Sequence, residues 1–122
     1  MIYGTPTIVT NGLVLNLDAA NTKSYVSGST NWFSLGNPSL SGSLVNGPAF
    51  SSENGGSIVF DGVNDYVQID NPSILQNQNF SISTWINPSP ATNTITTAID
   101  YDHAIFQGWV IQSEDATTNR YY

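Results

Sequence analysis

Four side chains able to donate oxygen ligands fall in one short stretch: Asp61, Asn64, Asp65 and Asp70. Calcium takes about six to eight such hard oxygens, from carboxylates, amides and carbonyls. The same residues also serve a second chemistry. Asp61-Gly62 and Asn64-Asp65 are the pairs a tight turn uses to hydrogen-bond its own backbone. Both readings stand, the turn being the more economical, and calcium is the one cofactor the sequence raises. Asp100 and Asp102, read as a neighbouring loop, would add to a cation site. A retaining glycanase needs two carboxyl groups about 5–5.5 Å apart, which on a strand means acids two positions apart. Asp100-Tyr101-Asp102 comes nearest, but it has no Glu and no strongly strand-like context. His103 is the sole histidine, so no histidine metal cluster can form; beside Asp102 it reads as a solvated loop residue. The expectation is a chain that is not an enzyme.

Sugar recognition asks for something else, a flat ring against the pyranose face with amides or carboxylates for the hydroxyls. Trp32, Tyr25, Tyr101 and Trp109 are the candidate carbohydrate-binding platforms, with Tyr121-Tyr122 as further rings. Trp109 alternates with Ile111 and equally fits a core. Trp85 stands opposite in parity to Phe80, Ile82 and Ile86 and is expected to be covered by a second layer.

The elements that must position these residues read as strands. No stretch of a dozen residues keeps the i, i+3, i+4 apolar spacing of a helix. Leu13, Leu15 and Leu17 share one face of an expected strand, and Ile58 and Phe60 alternate with Ser57, Val59 and Asp61. Asp61-Gly62 then reverses the chain into Tyr66–Ile69, an expected hairpin. Residues 79–87 give the strongest strand pattern, closed by Pro88 and Pro90, and residues 89–97 read as a loop. Strand character resumes from Ala104 to Gln112. Asn11-Gly12, Asn46-Gly47 and Asn54-Gly55 supply further reversals. Residues 18–42 look like a long polar connection pinned by Tyr25, Trp32, Phe33 and Leu35. The whole of 1–122 is expected to be a single domain, with 1–10 as an N-terminal arm.

Composition narrows the partners. Two cationic and nine acidic side chains leave a net charge of −7, which repels phosphate, so nucleic acid and anionic membranes are poor partners. There is no cysteine, hence no disulfide and no thiolate metal site. No apolar run approaches the roughly 20 residues of a membrane span. The first residues, Met1-Ile2-Tyr3-Gly4-Thr5-Pro6-Thr7, have neither the basic start nor the apolar core of a signal peptide.

Phe60-Asp61-Gly62-Val63-Asn64-Asp65-Tyr66-Val67 resembles the F-D-G-x-x-D-Y-V signature of laminin-G-like, concanavalin A-like jelly-roll modules. Gly12–Asn21, Phe50–Gly62 and Phe80–Pro88 resemble further blocks of such modules, so the likeness spans roughly residues 8–112. The wording looks most like versions found in structural proteins of tailed phages. The resemblance implies an all-β, antiparallel β-sandwich and a structural Trp at position 85. It also implies a virion component, made in the host cytoplasm, for capsid decoration, tail or fibre. Partners would be other virion subunits in a homo-oligomer; a lectin-like module for a host-surface glycan is the alternative. Nothing here matches the later strands of complete modules, so a fragment or a shortened sandwich completed by a neighbouring subunit is expected.

Overall fold

Alternating apolar and small polar residues favour strands, and strands dominate the structure. The computed structural model describes residues 8–70, 73, 79–87, 96–101 and 109–113. Its strands are β1 Asn31–Phe33, β2 Ser41–Val45, β3 Ala49–Ser51, β4 Ser57–Val59, β5 Tyr66–Ile69, β6 Thr96–Tyr101 and β7 Trp109–Ser113. Among the described residues the one helical element is a 3-10 turn at Glu53–Gly55. The sheets are antiparallel, ordered β1-β2-β5, β3-β4 and β6-β7. The chain is therefore all-β. It forms two compact units, Met1–Asn79 and Phe80–Tyr122.

In the first unit, buried Gly42 and Leu44 alternate along β2 with half-buried Ser41, Ser43 and Val45. That is the pattern of a sheet with one dry face. The register carries this face across the sheet: Trp32 opposes Gly42, Gly42 opposes Ile69, and Leu44 opposes Val67. Gly42 is small because its neighbours are not. A Cβ there would lie 2.6 Å from Val67 Cγ1 and 3.4 Å from Ile69 Cδ1.

Tyr25 ties this sheet to the β3–β4 pair. It is only 4% exposed. Its ring centroid lies 6.1 Å from that of Trp32 in β1, edge-on, and 5.5 Å from that of Phe50 in β3. Its backbone forms an antiparallel bridge with Trp32, and its hydroxyl donates to the Ser29 carbonyl at 2.9 Å. A second close approach lies at Gly56, where a Cβ would meet Ala20 Cα at 2.8 Å and the Ala19 carbonyl at 2.9 Å. Only glycine admits that backbone so near, and its φ of 134° also excludes other residues.

Several expected elements take a different form. Residues 13–18 form no strand. The Asn16 N–H donates to Ser34 Oγ at 3.1 Å and the Asp18 N–H to Ser24 Oγ at 3.1 Å, while the Asn16 carbonyl accepts from the Leu35 N–H. Serine hydroxyls have taken the donors a ladder would need. Leu13, Leu15 and Leu17 are still half-buried. Within 18–42, expected as a connection, the chain forms β1, and Tyr25 does pin it.

The expected hairpin around Asp61-Gly62 is also redrawn. Both strands exist, but β4 pairs with β3 and β5 pairs with β2. The turn passes the chain from one sheet to the other. Asn46-Gly47 does the same between β2 and β3, with φ of 67° and 101°, the pair of positive values that Asn-Gly adopts readily. Phe60 lies beyond the end of β4 and is exposed.

In the second unit, residues 80–87 belong to no strand and are all exposed, although their period is the clearest in the sequence. Period-2 alternation makes a segment fit for a sheet, but a ladder also needs a neighbouring edge at the right distance. β6 and β7 pair with Ile99 opposite Ile111, Asp100 opposite Val110 and Tyr101 opposite Trp109. Asp100 thus stands in a strand rather than the expected loop, and β6 begins at Thr96, inside the stretch expected to be a loop.

Two substitutions check this packing. Tyr25→Ala removes the ring shared by two sheets and is expected to lower stability by about 3–5 kcal/mol in denaturant unfolding. Tyr25→Phe, losing only the bond to Ser29, should cost about 0.5–1.5 kcal/mol. Near-equal values for both would mean that the ring does not join the sheets.

Candidate functional site

The residues between β4 and β5 illustrate how local chemistry claims its own side chains. Asp61 Oδ1 accepts from the Val63 N–H at 2.8 Å and from the Asn64 N–H at 3.3 Å. Asp65 Oδ2 accepts from the Asp61 N–H at 3.1 Å. The Asn64 carbonyl accepts from Asn46 Nδ2 at 2.6 Å, which staples this turn to the Asn46-Gly47 turn. The Val63 N–H does most to hold the Asp61 carboxyl below its ordinary value; desolvation opposes it, and the Asn64 N–H adds to it.

Asp70 is elsewhere. Its Oδ2 accepts from Ser41 Oγ at 2.9 Å, and its N–H donates to the Ser41 carbonyl at 2.9 Å. Asp65 and Asp70 flank the two ends of β5, roughly 16 Å apart along an extended strand. So Asp61, Asn64 and Asp65 come together and Asp70 does not. Among the described residues no three His, Asp or Glu side chains gather as a cation site. The donor set does not fit a calcium cage, because its acceptors face backbone N–H groups, and the turn reading describes this geometry.

The expected sugar platforms divide as well. Tyr25 is buried in the aromatic cluster and presents no open face. Trp32 lies on the inner side of the sheet, opposite Gly42, half-buried. Its indole Nε1 is buried without a hydrogen-bond partner among the described residues. Strand parity explains both: the residues flanking Trp32 point outward, so Trp32 points in. Tyr101 and Trp109 are register partners in β6–β7. Trp85, expected to be covered, is fully exposed, since no sheet is formed by the segment that carries it. His103, Asp102, Tyr121 and Tyr122 lie outside the described residues.

What the sequence reading missed is the outward face of β1-β2-β5. The register aligns Phe33 with Ser41, Asn31 with Ser43, Ser43 with Gln68, and Val45 with Tyr66. Asp70 extends the first row through its bond to Ser41. Phe33 is 50% and Tyr66 48% exposed, and Asn31 and Gln68 are exposed too. Neither of those two amides has a side-chain hydrogen-bond partner among the described residues. The signal for this face lay in the parity of Asn31, Phe33, Tyr66 and Gln68. It becomes readable only once β1 is known to be a strand and β5 to pair with β2.

No protein-family model, no curated protein and no solved structure matches this chain.

The Asp61 turn makes a pH prediction. A folded carboxyl held below its unfolded value of about 3.9 contributes stability that is present above that value and lost as pH falls through the folded one. Carboxyl NMR titration should place the Asp61 midpoint below that of Asp61 in a short peptide of residues 58–66. Coincident midpoints would mean the turn does not hold the carboxylate.

Proposed function

We propose that this chain is a non-catalytic structural module of a phage particle. In this reading it is a laminin-G-like, concanavalin A-like jelly-roll sandwich that assembles with copies of itself and with other virion subunits. The observation that supports it best is the segment 80–87. Ile82 and Ile86 share a parity with Phe80, Trp85 stands on the other, and all are exposed. Exposed apolar residues in a strand-forming sequence are a template for pairing with another chain. Added strands are a recurrent way to join subunits, with main-chain bonds for affinity and alternate side chains for register.

Charge and chemistry agree with that role. With two cationic and nine acidic side chains, an assembly of this chain depends little on ion pairs. The carboxylates of Asp18, Asp61, Asp65 and Asp70 accept local hydrogen bonds from Ala20, Val63, Asp61 and Ser41 respectively. Acids engaged in turns and strand ends are poorly placed to transfer protons to a substrate. Among the described residues no helix is long and apolar enough to cross a membrane.

Light scattering on the native protein tests the reading. A defined oligomer is expected, unchanged by chelation of divalent cations, because the carboxylates serve the backbone. The pair Ile82→Ser and Trp85→Ser should shift it to monomer while the circular dichroism of the strands persists. A wild-type protein that stays monomeric at high concentration would sink the assembly role.

A further inference from the structure

We infer that the outward face of β1-β2-β5 binds a neutral oligosaccharide. This goes beyond assembly and does not rest on it, since none of its residues lies in 80–87. Its middle row is Asn31, Ser43 and Gln68, one residue from each strand in register. An amide offers both donors and an acceptor, and a hydroxyl offers one of each kind. A row of alternating donors and acceptors at strand spacing suits a ligand made of hydroxyl groups. Asn31 and Gln68 are exposed and keep that capacity unspent within the described chain.

Two exposed rings frame the row at opposite corners, Phe33 on β1 and Tyr66 on β5. Two strand spacings across and four residues along place them roughly 17 Å apart. That is the span of several linked sugar units rather than one. Aromatic faces pack against the C–H side of a pyranose while its hydroxyls turn to polar neighbours. Asp70, oriented by Ser41 Oγ at 2.9 Å, adds an ionised acceptor at the edge next to the Phe33 row.

The occupant follows from charge and layout. Among the described residues this face has no lysine or arginine, and Asp70 is its one ionised group, within a chain of net charge −7. An anionic glycan or a phosphate would be repelled. A second protein copy would favour an apolar centre with a polar rim. Here the polar groups hold the centre and the rings stand at the corners, so a hydroxyl-rich neutral chain is the better match. Being built on strands rather than loops, the face is held rigid before any ligand arrives.

Native affinity electrophoresis tests this with four neutral polysaccharides as probes: laminarin, dextran, galactomannan and hydroxyethyl cellulose. At least one should retard the full chain. Phe33→Ala and Tyr66→Ala should each weaken that retention about tenfold, the loss one aromatic contact accounts for. Asn31→Ala with Gln68→Ala should weaken it further, and Tyr66→Phe should keep it, because stacking does not need the hydroxyl. The Ile82→Ser, Trp85→Ser pair should leave per-chain affinity unchanged while altering assembly, which separates failure of one role from failure of the other. Folding of each variant is read by circular dichroism. Retardation by none of the probes, or retention indifferent to Phe33 and Tyr66, would overturn the inference. An oligomer that dissociates on Phe33→Ala without any glycan binding would overturn it too, and assign the face to self-assembly.

Discussion

Tyr25 is the point at which two sheets become one packed body. A three-stranded sheet and a two-stranded ribbon are each too small to be stable alone in water. They hold only if their inner faces meet. The Tyr25 ring touches Trp32 on one side and Phe50 on the other, while its hydroxyl reaches the Ser29 carbonyl and spares the burial penalty of an unbonded polar group. Leu40 and Leu44 complete this small core. The fully buried Ser24 sits beside it, its hydroxyl donating to the Phe33 carbonyl and accepting from the Asp18 N–H. Trp32 contributes area at a cost, its indole N–H being buried with no partner among the described residues.

That core explains why the chain's carboxylates do so little chemistry. The connections from β2 to β3 and from β4 to β5 must each carry the chain between sheets within a few residues. Such crossings need turns that hold their shape, and Asp and Asn side chains supply the missing acceptors and donors. Asp61 closes around Val63 and Asn64, and Asn46 fastens its own turn to the Asn64 carbonyl. Residues that look like ligands when counted along the sequence are therefore used to bend the backbone. Asp70, which would have to join them, is held at the far end of β5 by Ser41.

The same partition sorts the aromatic residues. In β1, Trp32 faces the core and Phe33 faces solvent, although the two are neighbours in sequence. Large rings alone do not mark a binding surface. The side of the sheet decides whether a ring stabilises the fold or stays available to a ligand, and that side is set by pairing. Residues 80–87 show the complementary case, in which apolar side chains have strand periodicity but no sheet to turn away from water.

By itself the sequence determined the all-β character, the sparse charge, and the turns at Asn46-Gly47, Asn54-Gly55 and Asp61-Gly62. Each of these rests on short-range causes: alternation along a strand, backbone tolerance of positive φ, and hydrogen bonds between near neighbours. It also pointed to turn chemistry for Asp61 before any contact was known. Pairing was not legible. That β4 joins β3 while β5 joins β2, that Leu13–Leu17 gives its backbone to Ser24, Ser34 and Leu35 instead of a ladder, and that Trp32 turns inward were decided by tertiary structure. The physical reason is that strand propensity is local, whereas a partner edge, a buried hydroxyl and an available inner face exist only after distant segments have met.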